Sequence, residues 1–135
     1  VGGLDTRFFM YAEDMDLCLR YRRGGWRVTF YPAAEIIHYG GASSAAAPAR
    51  FWIEQQRANL QYWKKHHGST SAGVFYLILV FYHLLRVMGL AMLRLVRPGE
   101  PSGPEGDKLS MNIRTLSWLL RLSTLKLLVS RDDSL

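Results

Sequence analysis

An α/β partial domain followed by membrane-associated helices is the fold class this sequence predicts, and three observations predict it. A segment of helical period at residues 13–23 runs into a two-residue alternation at residues 26–31. The chain then turns strongly apolar over residues 73–96, and a Pro/Gly-rich stretch at 98–108 divides that segment from a basic amphipathic one at 109–130. With 135 residues the chain can bury one modest core. One partial domain at residues 1–68 with appended helices is therefore expected.

Residues 1–12 read as a loop, because Gly2-Gly3 permits a sharp turn ahead of the aromatic run Arg7-Phe8-Phe9-Met10-Tyr11. Met15, Cys18, Leu19 and the stem of Arg22 recur at helical spacing, with Asp16, Arg20 and Arg23 facing outward, until Gly24-Gly25 stops the helix. Trp26, Val28 and Phe30 then alternate with Arg27, Thr29 and Tyr31, as in a strand ended by Pro32. Residues 35–39 fit a second short strand. Gly40 to Pro48 is small-residue sequence that reads as a mobile loop, with Ser43 and Ser44 as weak candidates for ligand contact. Residues 49–67 suit a helix closed by Gly68.

Residues 69–97 form the apolar segment. At about 1.5 Å per residue, the run 73–96 reaches across a hydrocarbon layer of roughly 30 Å. His83, Arg86 and Arg94 interrupt it, and a central charge costs about 2.5 kcal/mol or more on insertion. Spanning, lying in the interface, and packing as a core or dimer helix all stay open. In the 109–130 helix, Leu109, Ile113, Leu116, Leu119, Leu120 and Leu127 alternate with Arg114, Arg121 and Lys126, which suits either an interface or a partner helix. The Asp132-Asp133 tail is expected to fray.

The net charge of +6 and pI near 9.8 favour partners that carry phosphate or an anionic surface. Cys18, the sole cysteine, excludes an internal disulfide and a multi-cysteine zinc site, and is expected to be a buried thiol. No signal-peptide pattern opens the chain, whose true start is expected upstream of Val1.

Glu13, Asp14 and Asp16 gather where the aromatic loop meets the first helix. Spacing alone favours helix capping, since carboxylates gain about 0.3–1 kcal/mol at a helix N-terminus. The alternative is a general base aimed at a substrate hydroxyl and partly enclosed by Phe8, Phe9 and Tyr11. His38, at the end of the second strand, is by chemistry alone more often a surface or core residue than a ligand. His66-His67 reads as a solvated basic helix end.

The ordered run from Gly2-Gly3-Leu4-Asp5 through Phe8-Phe9-Met10-Tyr11-Ala12-Glu13-Asp14-Met15-Asp16 to Arg23-Gly24-Gly25-Trp26, followed by Pro32 and His38-Tyr39-Gly40-Gly41, resembles the later half of family 2 glycosyltransferase domains of the GT-A type, rhamnosyltransferase-like members especially. The likeness covers residues 1–68, the helix with Phe51, Arg57, Asn59, Tyr62 and Gly68 included.

That resemblance implies the C-terminal portion of a GT-A domain, with Asp14 as catalytic base, Glu13 and Asp16 supporting it, and His38 as a ligand of a divalent metal (Mg or Mn). It implies an inverting transfer of a sugar, rhamnose among the candidates, from a nucleotide-sugar donor to a polysaccharide or lipid-linked acceptor at the cytoplasmic face of the cell membrane. A membrane surface is an expected partner and nucleic acid is not. The Asp-x-Asp half of such a domain is not in this sequence, so the segment alone is expected to be inactive. A Gln-x-x-Arg-Trp motif of processive synthases is also absent, which favours single additions. The competing reading is a non-catalytic membrane-bound interaction module or a degenerate transferase copy, in which the acids are only caps.

Overall fold

A computed structural model of the chain describes residues 1–41, 44–96 and 104–129. Its regular elements are α1 (Glu13–Arg23), α2 (Pro48–Val96), α3 (Pro104–Leu119) and α4 (Leu122–Val129). Two compact units divide the chain, Val1–Tyr62 and Trp63–Leu135.

In the first unit, the loop 1–12 folds around Asp5, whose carboxylate accepts from the Arg7 backbone N–H at 3.0 Å and pairs with the Arg7 guanidinium at 2.8 Å. This local closure turns Phe8 inward, where it is buried with Ala12 and Ala58 and packed by Tyr11 and Tyr62. The small Ala58 lets the aromatic loop approach the α2 backbone. At its far end α1 stops in a Schellman arrangement: Trp26 N–H donates to Tyr21 O at 3.0 Å and Gly25 N–H to Arg22 O at 3.1 Å, with Gly25 at φ 85°. The left-handed turn needs a residue without Cβ, and glycine supplies it.

The α/β expectation is overturned, because no strand or sheet occurs among the described residues. Residues 26–31 and 35–39 are coil about a turn in which Ala34 N–H donates to Tyr31 O at 3.3 Å. Their apolar side chains face solvent, Phe30 at 87% and Ile36 at 89% exposure. Alternation reports only that a segment could bury one face, whereas a strand also needs a neighbour for its N–H and C=O groups. Two short strands by themselves are marginal in water, and the helices here give them no edge to join. As folded, the chain is not an α/β domain of the GT-A kind.

The second unit is helical. Within α2, Gly68 sits at φ 82°, ψ 169° and breaks the helix. Across that break Trp63 stacks on Phe75 with centroids 5.2 Å apart. Twelve residues of unbroken helix would separate them by about 18 Å, so the chain turns sharply at Gly68. Beyond the turn, α2 is long and apolar enough to cross a membrane.

α2 and α3 pair through two polar rungs. Tyr76 Oη donates to Leu119 O at 3.0 Å, and His83 Nδ1 lies 2.8 Å from Asn112 Oδ1. Moving forward along α2 thus moves backward along α3, and the pair is antiparallel. Ala72, Tyr76, Leu79 and His83 form the buried seam of α2, and Leu109, Asn112, Thr115 and Leu119 that of α3. Thr124, at the start of α4, donates to Trp118 O at 2.7 Å and anchors the last helix to the end of α3. Residues 98–103 of the expected linker, Ser43 of the expected loop and the Asp132-Asp133 tail lie outside the described residues.

Candidate active site

The acids open α1 on an unusual backbone. Tyr11 and Ala12 both take positive φ, 70° and 62°, although neither is glycine. Left-handed non-glycine residues cost about 1–2 kcal/mol each. The burial of Phe8 and Ala12 beside Ala58 holds them there. Ala12 also offers no side-chain cap to the helix. Within the first turn, Asp14 Oδ1 accepts from the Met15 N–H at 2.8 Å.

The three carboxylates differ sharply in environment. Asp16 is fully buried and accepts from Arg20 Nε at 2.8 Å. The other two guanidinium nitrogens of Arg20 donate to Val1 O at 2.5 Å and Gly3 O at 2.7 Å, so the Asp16–Arg20 pair ties the N-terminal loop to the helix. Glu13 is half-buried, and its Oε2 is enclosed without a hydrogen-bond partner. Asp14 is exposed. Of the three, only Asp14 is exposed, while Asp16 holds the frame beneath it.

The aromatic surroundings are also divided. Phe8 lies beneath the loop in the core, whereas Phe9 is 68% exposed beside the acids. On the side of α1 carrying Met15 and Cys18, a cavity of about 400 Å3 is lined by Met15, Cys18, Leu19, Arg22, Val28 and Tyr62. Cys18 is exposed rather than buried. Its helical position points to this open cavity instead of toward the Phe8 core, a distinction that apolar spacing cannot make.

His38 lies in the exposed coil, where its carbonyl accepts from Gly40 N–H at 3.0 Å. Among the described residues no three His, Cys, Asp or Glu side chains converge as a metal site. Ser44 bonds back to Gly41 O at 3.2 Å within its own turn. Arg20 is the residue that sequence reasoning passed over as outward-facing. Its i,i+4 spacing from Asp16 was the available signal.

Curated rhamnosyltransferases match part of this chain. The N-acetylglucosaminyl-diphospho-decaprenol L-rhamnosyltransferase of Mycobacterium tuberculosis (strain ATCC 25618 / H37Rv) is 45% identical over 49 residues, 36% of this chain and 16% of that protein. Rhamnosyltransferase WbbL of Escherichia coli (strain K12) is 51% identical over 39 residues, 29% of this chain and 15% of that protein. The matched stretches thus span about a sixth of the length of either relative and carry a glycosyltransferase-like relationship. No family model and no solved structure matches the chain.

Proposed function

We propose that this chain is the acceptor-activating piece of an inverting family 2 glycosyltransferase that moves a sugar, rhamnose in the leading case, from a nucleotide-sugar donor to a lipid-linked or polysaccharide acceptor. The observation that carries the reading is the 45–51% identity to two rhamnosyltransferases over short stretches. The geometry at the start of α1 agrees with it. An exposed carboxylate stands on a strained, well-anchored turn, the kind of backbone that concentrates at functional sites.

In this reading Asp14 accepts the proton of the acceptor hydroxyl as that oxygen bonds to the anomeric carbon. The carbon–oxygen bond to the nucleoside diphosphate breaks on the opposite face, and the configuration inverts. Asp16 and Arg20 position the turn, and Glu13 lies beside it with an unused acceptor oxygen. His38 would be the residue of this chain that contributes to holding a divalent metal (Mg or Mn), which when bound would neutralise the departing diphosphate.

The test is Asp14→Asn in the full-length protein. Turnover should fall by about 10²–10⁴-fold with donor binding retained, as expected when a general base is lost. Unchanged turnover removes Asp14 from that role and favours the non-catalytic module.

A further inference from the structure

α2 beyond Gly68 carries its apolar surface on the wrong side for a water-soluble hairpin. Val74, Ile78, Phe81, Leu85, Met88 and Met92 are all exposed or nearly so, Phe81 at 62% and Met92 at 68%. At 100° per residue these six fall within an arc of about 80°. The seam that meets α3 lies on the opposite side of the helix and holds the polar groups, His83 fully buried among them. The two cations that interrupt the apolar run in sequence are off the stripe. Arg86 lies about 120° and Arg94 about 160° around from Val74.

α3 presents the reverse surface. Its seam side is taken by α2, and its exposed side shows Ser110, Arg114 and Ser117, with Arg121 just beyond and Ile113 and Leu120 along one edge. The pair is therefore layered, with a charge-free apolar face outside α2 and a polar, basic face outside α3. A hairpin crossing a bilayer would put both outer faces into hydrocarbon, where Arg114 and Arg121 would be expelled. A hairpin lying in the interface meets hydrocarbon on one side and water on the other, as the layering requires.

The sequence also states the sign of the surface. Residues 63–96 contain Lys64, Lys65, Arg86 and Arg94 with no Asp or Glu, and residues 104–129 contain Lys108, Arg114, Arg121 and Lys126 against Glu105 and Asp107 in the first turn of α3. From this charge complementarity we infer that the α2–α3 pair is a monotopic anchor for an anionic lipid surface, with the Phe81 face of α2 seated in the acyl layer and α3 riding above it toward water. Arg86, on the flank, reaches up to the headgroups along its aliphatic stem, and Arg94 lies on the seam side, away from the acyl layer. The inference concerns attachment and stands whether or not Asp14 is a catalytic base.

The experiment uses the full chain with Cys18 replaced by serine and a single cysteine introduced by Phe81→Cys or by Ser117→Cys, both at exposed positions. Each protein is mixed with vesicles of phosphatidylglycerol and phosphatidylcholine, or of phosphatidylcholine alone, and challenged with a membrane-impermeant maleimide. On anionic vesicles the Phe81→Cys thiol should be labelled at least 10-fold more slowly than in buffer, while the Ser117→Cys thiol keeps its rate. On neutral vesicles both should keep it. Protection of both positions overturns the inference in favour of a spanning hairpin. Protection at Phe81→Cys that is already present without vesicles, with a doubled mass, overturns it in favour of a second copy of the chain. Equal binding to both vesicle types removes the anionic requirement. Phe81→Glu, which leaves the seam intact, should weaken anionic-vesicle binding at least 10-fold, and undiminished binding also overturns the proposal.

Discussion

Residues 24–41 and residues 74–96 both hold large apolar side chains away from any core, yet they present opposite problems to their surroundings. In the first region Phe30, Ile36 and Ile37 project from coil, at 87%, 89% and 85% exposure, and no helix or strand pairs the backbone beside them. In the second, Phe81 and Met92 project from a helix whose backbone is already hydrogen-bonded within itself. Hydrocarbon accepts the second kind of surface and refuses the first, because every backbone polar group placed in lipid must be satisfied internally. Exposed apolar area therefore does not name its own partner. The state of the backbone beneath it narrows the choice.

The largest expected break in that comparison comes from proline. Leu84→Pro removes a helical N–H bond and crowds the preceding turn of α2, at a cost of about 3 kcal/mol or more. Ile36→Pro, in coil, should change stability by less than about 0.5 kcal/mol. Denaturant unfolding followed by circular dichroism in micelles measures both, and equal losses would show that residues 24–41 carry hidden structure.

Next in size is Asn112→Ala, which strands His83 in the seam and removes the bond that Asn112 Nδ2 donates to Lys108 O at 2.6 Å. A buried polar group left unsatisfied costs about 1–3 kcal/mol. Faster amide exchange throughout α2 beyond Gly68 and α3, with none added in α1, is the expected signature.

The smallest effect is acidification. Burial holds the His83 imidazole below its usual range, an effect that the Asn112 hydrogen bond opposes and Arg86 reinforces. The folded hairpin thus favours neutral His83, while the unfolded chain takes up a proton near pH ~6.5. The stabilisation is fully present above that pH and is lost as pH falls through the lowered folded value. Exchange in α2 and α3, corrected for intrinsic rates, should quicken between pH 7.5 and 5 and cease to do so in His83→Leu, whereas a dependence surviving that substitution would assign it elsewhere.

Local signals identified α1 from Glu13 to the Gly24-Gly25 stop, the break at Gly68, and the apolar length of α2, because caps, glycines and periodicity act within a few residues of where they are written. The acid cluster was legible as well, although its internal division was not. Which carboxylate is exposed depends on Arg20 reaching across to Asp16, Val1 and Gly3, and on Ala58 receiving Phe8. Strand pairing at residues 26–39 was misread for a related reason, since alternation is local and a neighbouring strand is not. The arrangement of charge on α2 belongs to the same class. In one dimension Arg86 and Arg94 interrupt an apolar run, and they leave the stripe only once α3 shows which face of the helix is inside.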